Sequence, residues 1–328
     1  MKGSYSISVQ NNHVKYEFEI RRNITVIQGN SASGKTTLVD LIREYQLNGS
    51  DSGINFSCKK KCYVLEGNDW KNDLSFLNEY IIFIDEGNSF VASKEFASAI
   101  KGSNNYYVIV TREGLENLPY SVNEIYGIHT SGKYAGLKQV YHEFYHIYSD
   151  EKLLSDITVQ KVLTEDSNSG FEFFKFLSGS MIKCESANGK SNVFKKLLES
   201  NANTLVVADG AAFGSQMTKI SELMMTKKNV VLFLPESFEY ILLQADLFKD
   251  SEVTEILNKP FEFIDGSNYF SWEQFFTSLL VKKSEKTFLK YSKKKLNPNY
   301  LAENVKRKIL ESKAFSEVRK FFNTSPKA

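Results

Sequence analysis

The stretch Gly29-Asn30-Ser31-Ala32-Ser33-Gly34-Lys35-Thr36 constrains this chain more than any other, because it matches G-x-x-x-x-G-K-[ST]. Its glycines let backbone N–H groups turn inward around an anion. Ahead of it, Ile24-Thr25-Val26-Ile27 is a β-branched run that reads as a buried strand. Behind it, Thr37 to Tyr45 has helical spacing, so the loop opens a helix N-terminus, the positive end of the helix dipole. Strand, loop and helix together predict a phosphate cradle running from Gly29 to Thr37. Lys35 is expected to reach the outer phosphates, and the Thr36 hydroxyl to hold a divalent cation.

Two alternating runs, Ser4 to Val9 and Val14 to Ile20, flank Asn11-Asn12 and predict an antiparallel hairpin ahead of the loop. Further on, Tyr80-Ile81-Ile82-Phe83-Ile84 runs into Asp85-Glu86. Such an apolar run suits a strand buried on both faces, whose C-terminal end opens on a ligand crevice. Asp85 is then placed to bind Mg²⁺, and Glu86 to orient or deprotonate an attacking water. A third apolar run, Tyr106 to Val110, ends in Thr111-Arg112. Thr111, and after it Arg112, are candidates to sense a terminal phosphate; a capped strand end is the alternative.

With these motifs the first half resembles the P-loop NTPases, and its hairpin and Ile-Asp-Glu resemble their ABC-type branch. The resemblance implies an α/β nucleotide-binding sheet, ATP and Mg²⁺ as ligands, and Glu86 and Thr111 as catalytic residues. No Leu-Ser-Gly-Gly-Gln signature stands between the loop and Asp85.

The second half repeats strand and helix patterns from Val159 onward. Strands are expected at Val159–Asp166, Met181–Cys184, Thr204–Gly210 and Asn229–Leu234, with helices between. Glu165 and Asp209 stand at strand ends, and Asn188-Gly189-Lys190-Ser191 forms a glycine turn between them. This succession resembles the Toprim domain, and ATPase followed by Toprim is the domain order of the overcoming-lysogenization-defect nucleases. The resemblance implies a smaller α/β domain, metal held by Glu165 and Asp209, phosphodiester chemistry under ATP control, and a setting in phage defence or mobile elements. The family's second Asp is Ala211 here, so a scaffold without catalysis is the alternative. Internal duplication of the phosphate-loop half is another.

His142-Glu143-Phe144-Tyr145-His146 fits H-E-x-x-H literally. Its aromatic richness suits a strand equally well, and no third ligand marks it as a zinc site. Cys58-x₃-Cys62 lacks a partner pair, so free thiols are expected.

The net charge of +2 conceals an asymmetry. Residues 282–328 carry fourteen Lys/Arg against four Glu, a net of +10, which leaves −8 on the 281 residues before them. A basic helical tail is expected, with a helical run from Leu301 to Lys320. It either contacts nucleic-acid phosphates or presents a solvated face with its aromatics packed on the body. The domains are then expected at 1–150, 151–281 and 282–328. The 42% hydrophobic content, three cysteines, and lack of a membrane-length apolar run suit a cytoplasmic protein. A homodimer or a partner protein stays open.

Overall fold

The computed structural model describes residues 1–29, 33–131, 139–148 and 157–322. The chain is mixed α/β, with two sheets and, among the described residues, eleven α-helices. It divides into two units: Met1–Ile147 with Lys259–Phe270, and Tyr148–Asn258 with Ser271–Ala328. Residues 259–270, placed by sequence in the second domain, therefore cluster with the first. Residues 282–322 belong to the second unit rather than standing apart from it. The expected boundary at Ser149–Lys152 lies outside the described residues.

The first unit holds strands β1 (Tyr5–Gln10), β2 (Val14–Ile20), β3 (Ile24–Ile27), β4 (Asn55–Cys58), β5 (Cys62–Val64), β6 (Ile81–Ile84), β7 (Tyr106–Val110), β8 (Ile125–Thr130) and β9 (Val140–His146). They form one sheet in the order β4-β1-β2-β9-β8-β3-β7-β6-β5. The run β8-β3-β7-β6-β5 is parallel. The hairpin β1-β2 is antiparallel and turns on Asn11, whose side-chain oxygen accepts from the Val14 N–H. It does not adjoin β3, because β8 and β9 intervene. β3, β6 and β7 are buried at every position, as their unbroken apolar sequence requires.

Helix α1 (Lys35–Asn48) lies inside the curve of this sheet. Its Leu38, Val39, Leu41 and Ile42 pack with Ile7, Val9 and Phe18 of the hairpin and with Phe83, Val108 and Val110 of the parallel strands. A chain constraint enforces the curvature. Nine flat strands would hold the two end strands ~38 Å apart. Yet end strands β4 and β5 are joined by Lys59-Lys60-Lys61 alone, a link of roughly 13 Å at most.

The second unit has four parallel strands, β10 (Lys161–Thr164), β11 (Lys183–Ser186), β12 (Thr204–Val207) and β13 (Val230–Phe233), ordered β11-β10-β12-β13. Helices α2 (Ser169–Ser178), α3 (Lys190–Glu199) and α4 (Met217–Thr226) connect them in turn. The chain steps outward from β10 to β11, then returns across β10 to β12. That reversal puts a switch point between β10 and β12, where open α/β sheets form their crevice.

The C-terminal stretch breaks the expectation of one helix from Leu301 to Lys320. Helix α5 (Glu303–Glu311) ends at Glu311, and two short 3₁₀ turns follow. Phe315, Val318 and Phe321 are all buried, so the stretch is packed into the core rather than solvated. Phe315 packs among Phe173, Phe174 and Phe233. Tyr291 and Tyr300 are buried as well, while Phe288 is exposed.

Candidate functional site

In the first unit, register places the candidate residues along one sheet edge. Ile27 of β3 pairs with Val110 of β7, and Ile84 of β6 with Ile109. The residues that follow, Gln28-Gly29, Thr111 and Asp85-Glu86, therefore leave the sheet side by side. The N–H of Thr111 donates to Ile27 O at 3.1 Å, tying the middle strand's exit to the loop's entry.

Gly29 and Gly34 have φ of +136° and +88°, conformations that only glycine adopts without strain. A Cβ on Gly34 would also stand 2.7 Å from the Tyr16 hydroxyl. That hydroxyl donates to Gly34 O at 2.8 Å, and the Tyr16 ring stacks on His142 at 4.6 Å. The loop thus rests on a Tyr16–His142 floor drawn from two neighbouring strands. Burial pushes the Tyr16 phenol up to about 12 and holds the His142 imidazole below its usual range.

Lys35 is 5% exposed, and its ammonium donates to Gly29 O at 2.8 Å and Ser33 Oγ at 3.0 Å. Burial lowers its pKa, while Glu86 and Asp85 pull the other way. Thr36 and Thr37 are exposed on the first turn of α1. Asn30, Ser31 and Ala32 lie outside the described residues. Two buried polar atoms at this edge have no partner, Gln28 Nε2 and His142 Nδ1. A cleft of about 450 Å³ runs between Asp85–Ala92 and Val110–Leu115.

Glu86 is held by Arg112 in a two-pronged pair, with Nη2 to Oε1 at 2.8 Å and Nε to Oε2 at 3.0 Å. The guanidinium keeps the Glu86 carboxyl below its usual range. Arg112, by sequence a lesser candidate for phosphate sensing, has the candidate base as its partner here. The Thr111 hydroxyl is engaged in its own turn, donating to Glu113 O at 3.0 Å. Asp85 Oδ1 accepts from the Glu86 N–H at 2.9 Å.

The donor set at this edge is a Thr36 hydroxyl and an Asp85 carboxylate, which are hard oxygens suited to Mg²⁺. Among the described residues no group of three His, Cys, Asp or Glu could hold a metal alone. Such a set fits an ion that completes its shell with water and phosphate oxygens.

His142 and His146 lie on strand β9, not on a helix. Their rings rest on Tyr16 and Tyr126, and Glu143 accepts from the Ser131 hydroxyl at 2.8 Å. Four residues along a strand span ~13 Å, too far for two ligands of one zinc ion. The described cysteines are free.

In the second unit, Glu165 and Asp209 do meet at the switch point. The Asp209 N–H donates to Glu165 Oε2 at 3.2 Å, and the Phe238 N–H to Asp209 Oδ1 at 3.1 Å. The approach is close: a Cβ on Gly210 would stand 2.3 Å from Leu234 O. Glu239 joins them, 1% exposed, accepting from the Tyr291 hydroxyl at 2.8 Å. Its other oxygen, Oε2, has no partner. Glu273, whose charge acts on both Glu165 and Asp209, pairs with the Lys293 ammonium. Burial first, and then neighbouring carboxylates, push Glu165 up to about 7 and Asp209 well above its ordinary value. Glu165, Asp209, Glu239, Tyr291 and Lys293 line a cavity of about 30 Å³.

With a lysine ammonium already facing these carboxylates, the residues present do not fit a divalent metal beside Glu165 and Asp209. The Gly-Lys-Ser turn lacks the first glycine of a phosphate loop: Cys184 or Glu185 stands at that position, and Glu185 pairs with Lys161 and Lys183, while Lys190 Nζ donates to Ala212 O at 3.2 Å. Sequence reasoning offers Glu239, with Asp166 and Glu236, as a carboxylate to stand in for the family's second Asp, but misses Glu273, Tyr291 and Lys293. These three stand 64 to 84 residues beyond Asp209, on elements with no shared motif.

No family model and no curated protein matches this chain. Among the described residues no helix is long and apolar enough to cross a membrane.

Proposed function

We propose that the first unit binds ATP with Mg²⁺ and hydrolyses it, and that the second unit is a non-nucleolytic binding half whose engagement follows the nucleotide state. The observation that carries the ATP reading is the shared edge of β3, β7 and β6. It sets a positive-φ glycine loop, Lys35 and Asp85-Glu86 side by side. The Lys35 ammonium, now on Gly29 O and Ser33 Oγ, exchanges those neutral oxygens for phosphate oxygens. Backbone N–H groups at the start of α1 bind the same anion. Mg²⁺, when bound, neutralises charge on the phosphates. Glu86 acts on the attacking water once Arg112 releases it, and the freed guanidinium is then available to the terminal phosphate.

Nucleotide binding and turnover in the Lys35→Ala and Glu86→Gln chains test this reading. Lys35→Ala is expected to weaken ATP binding at least tenfold, through loss of charge-assisted hydrogen bonds worth roughly 1.5–3 kcal/mol. Glu86→Gln is expected to bind ATP as wild type does, but to turn it over ~10²–10⁴-fold more slowly. ATP turnover untouched by Lys35→Ala would refute the proposal.

The second half of the reading favours a binding scaffold over a nuclease because Lys293 faces the Glu165–Asp209 pocket. Supercoiled DNA and RNA incubated with the chain, ATP and Mn²⁺ should stay intact. Cleavage that Asp209→Asn abolishes would restore the nuclease reading.

A further inference from the structure

We propose that Cys58 and Cys62 are a peroxide-reactive dithiol: Cys58 attacks the peroxide, and Cys62 closes a disulfide between the two end strands of the nine-stranded sheet. The inference rests on this corner of the first unit and does not depend on the nucleotide reading.

Cys58 is the last residue of β4 and Cys62 the first of β5, with only Lys59-Lys60-Lys61 between them. Register fixes both positions, since Cys58 pairs with Ile7 of β1 and Cys62 with Ile81 of β6. Each backbone is thus anchored to a neighbouring strand, and the short link turns the thiols onto each other. The Cys62 thiol donates to the Cys58 sulfur, and the N–H groups of Lys59 and Lys60 act on the same sulfur. Cys62 Sγ also lies 3.8 Å from Lys60 O.

A thiol that only fills space behaves as a small hydrophobe, and it has no use for converging donors. Donors aimed at one sulfur favour its thiolate. They hold Cys58 down to about 7, while Cys62, the donor of the pair, is held above its usual range. The Lys60 ammonium is engaged elsewhere, on Glu79 at 2.8 Å, so the effect comes from the thiol and the backbone. The two sulfurs therefore divide the work: Cys58 is the nucleophile, and Cys62 keeps its proton until the second step. Both are half-buried and line a cleft of about 500 Å³ walled by Tyr45, Phe56, Tyr63 and Tyr80, through which a small peroxide reaches Cys58.

In the first step the Cys58 thiolate attacks one peroxide oxygen. An S–O bond forms, the O–O bond breaks, and hydroxide leaves and takes up the proton that Cys58 had released. Cys62 then attacks the Cys58 sulfenic acid. The S–S bond forms, the S–O bond breaks, and a second water carries away the Cys62 proton. The thiol pair loses two electrons, and one hydrogen peroxide is reduced to two waters.

The test exposes the reduced full chain to hydrogen peroxide at neutral pH, caps the remaining thiols with N-ethylmaleimide, and reads tryptic peptides by mass spectrometry. Trypsin cuts within Lys59-Lys60-Lys61, so the Cys58 and Cys62 peptides stay together only through a disulfide. Wild type is expected to give the joined pair, which reduction separates. Cys184 is the internal standard, because burial pushes its thiol up to about 11. Cys58 should react at least tenfold faster than Cys184, since its larger thiolate fraction outweighs its lower intrinsic nucleophilicity. Cys62→Ser should stop at a Cys58 sulfenic acid that dimedone traps, and Cys58→Ser should leave Cys62 reduced. The wild-type result stands whether or not these variants fold. A Cys58 that reacts no faster than Cys184 overturns the proposal, as does oxidation of Cys58 that yields no joined peptides.

Discussion

Arg22 and Glu124 show what a single pair of residues decides in the first unit. Both side chains are buried, and Nε meets Oε1 at 3.2 Å. Glu124 Oε2 also accepts from the Thr25 hydroxyl at 3.3 Å, so the carboxylate binds the base of β3, four residues before the loop, to the turn that opens β8. Breaking such a pair leaves a buried, uncompensated charge. Glu124→Ala is therefore expected to cost about 3–5 kcal/mol, and Glu124→Gln less, because the amide oxygen can still accept from Arg22 while its NH₂ donates to the Thr25 hydroxyl. Urea unfolding measures both. A cost under ~1 kcal/mol for Glu124→Ala would mean that the pair is relieved by water. Gly34 works at the same scale, since its φ of +88° and its closeness to Tyr16 leave no room for a side chain.

Among the elements, the ends of β10 and β12 govern the second unit's response to pH. Burial raises Glu165 from about 4.5 to about 7 in the folded chain. A carboxyl with a raised folded pKa holds its proton better folded than unfolded. Its contribution is fully present below the unfolded value and is lost as pH rises through about 7. The second unit should therefore lose stability between pH 5 and pH 8, by up to roughly 3 kcal/mol for a shift of this size. Hydrogen exchange of the four-stranded sheet across that range reads the change, and Glu165→Gln should flatten it. A sheet equally protected at pH 5 and pH 8 would show that Glu165 ionises in the folded state as it does unfolded.

At the scale of the whole molecule, the basic C-terminal stretch is structural before it is anything else. Its aromatics complete the core of the second unit, with Phe315 fully buried among four other phenylalanines. Phe315→Ala should cost about 3–5 kcal/mol. Ending the chain at Ser312 should leave the second unit unfolded by circular dichroism and open to protease, whereas an appended tail would be lost without effect. Lys282, Lys286, Lys290, Lys294 and Lys295 are exposed, and any contact they make with nucleic-acid phosphates must be tested by the salt dependence of binding.

Short-range patterning made much of this legible in the sequence. β3 and β7 fall where unbroken apolar runs end at polar punctuation, and the hairpin turns on Asn11, because burial on one or both faces writes itself into local periodicity. The glycine loop was visible for the same reason: a left-handed backbone needs glycine whatever the tertiary context. The partners of those motifs were not visible. Arg112 on Glu86, His142 beneath Tyr16 and Lys293 among four carboxylates arise from strand order and helix packing, which join residues 26, 126 and up to 128 positions apart. By itself the sequence determined where glycines shape the loop between strand and helix and which segments had to be buried. Tertiary structure alone decided which charges face one another, because Coulomb energy depends on separation in space, and sequence spacing specifies that separation only within a single element.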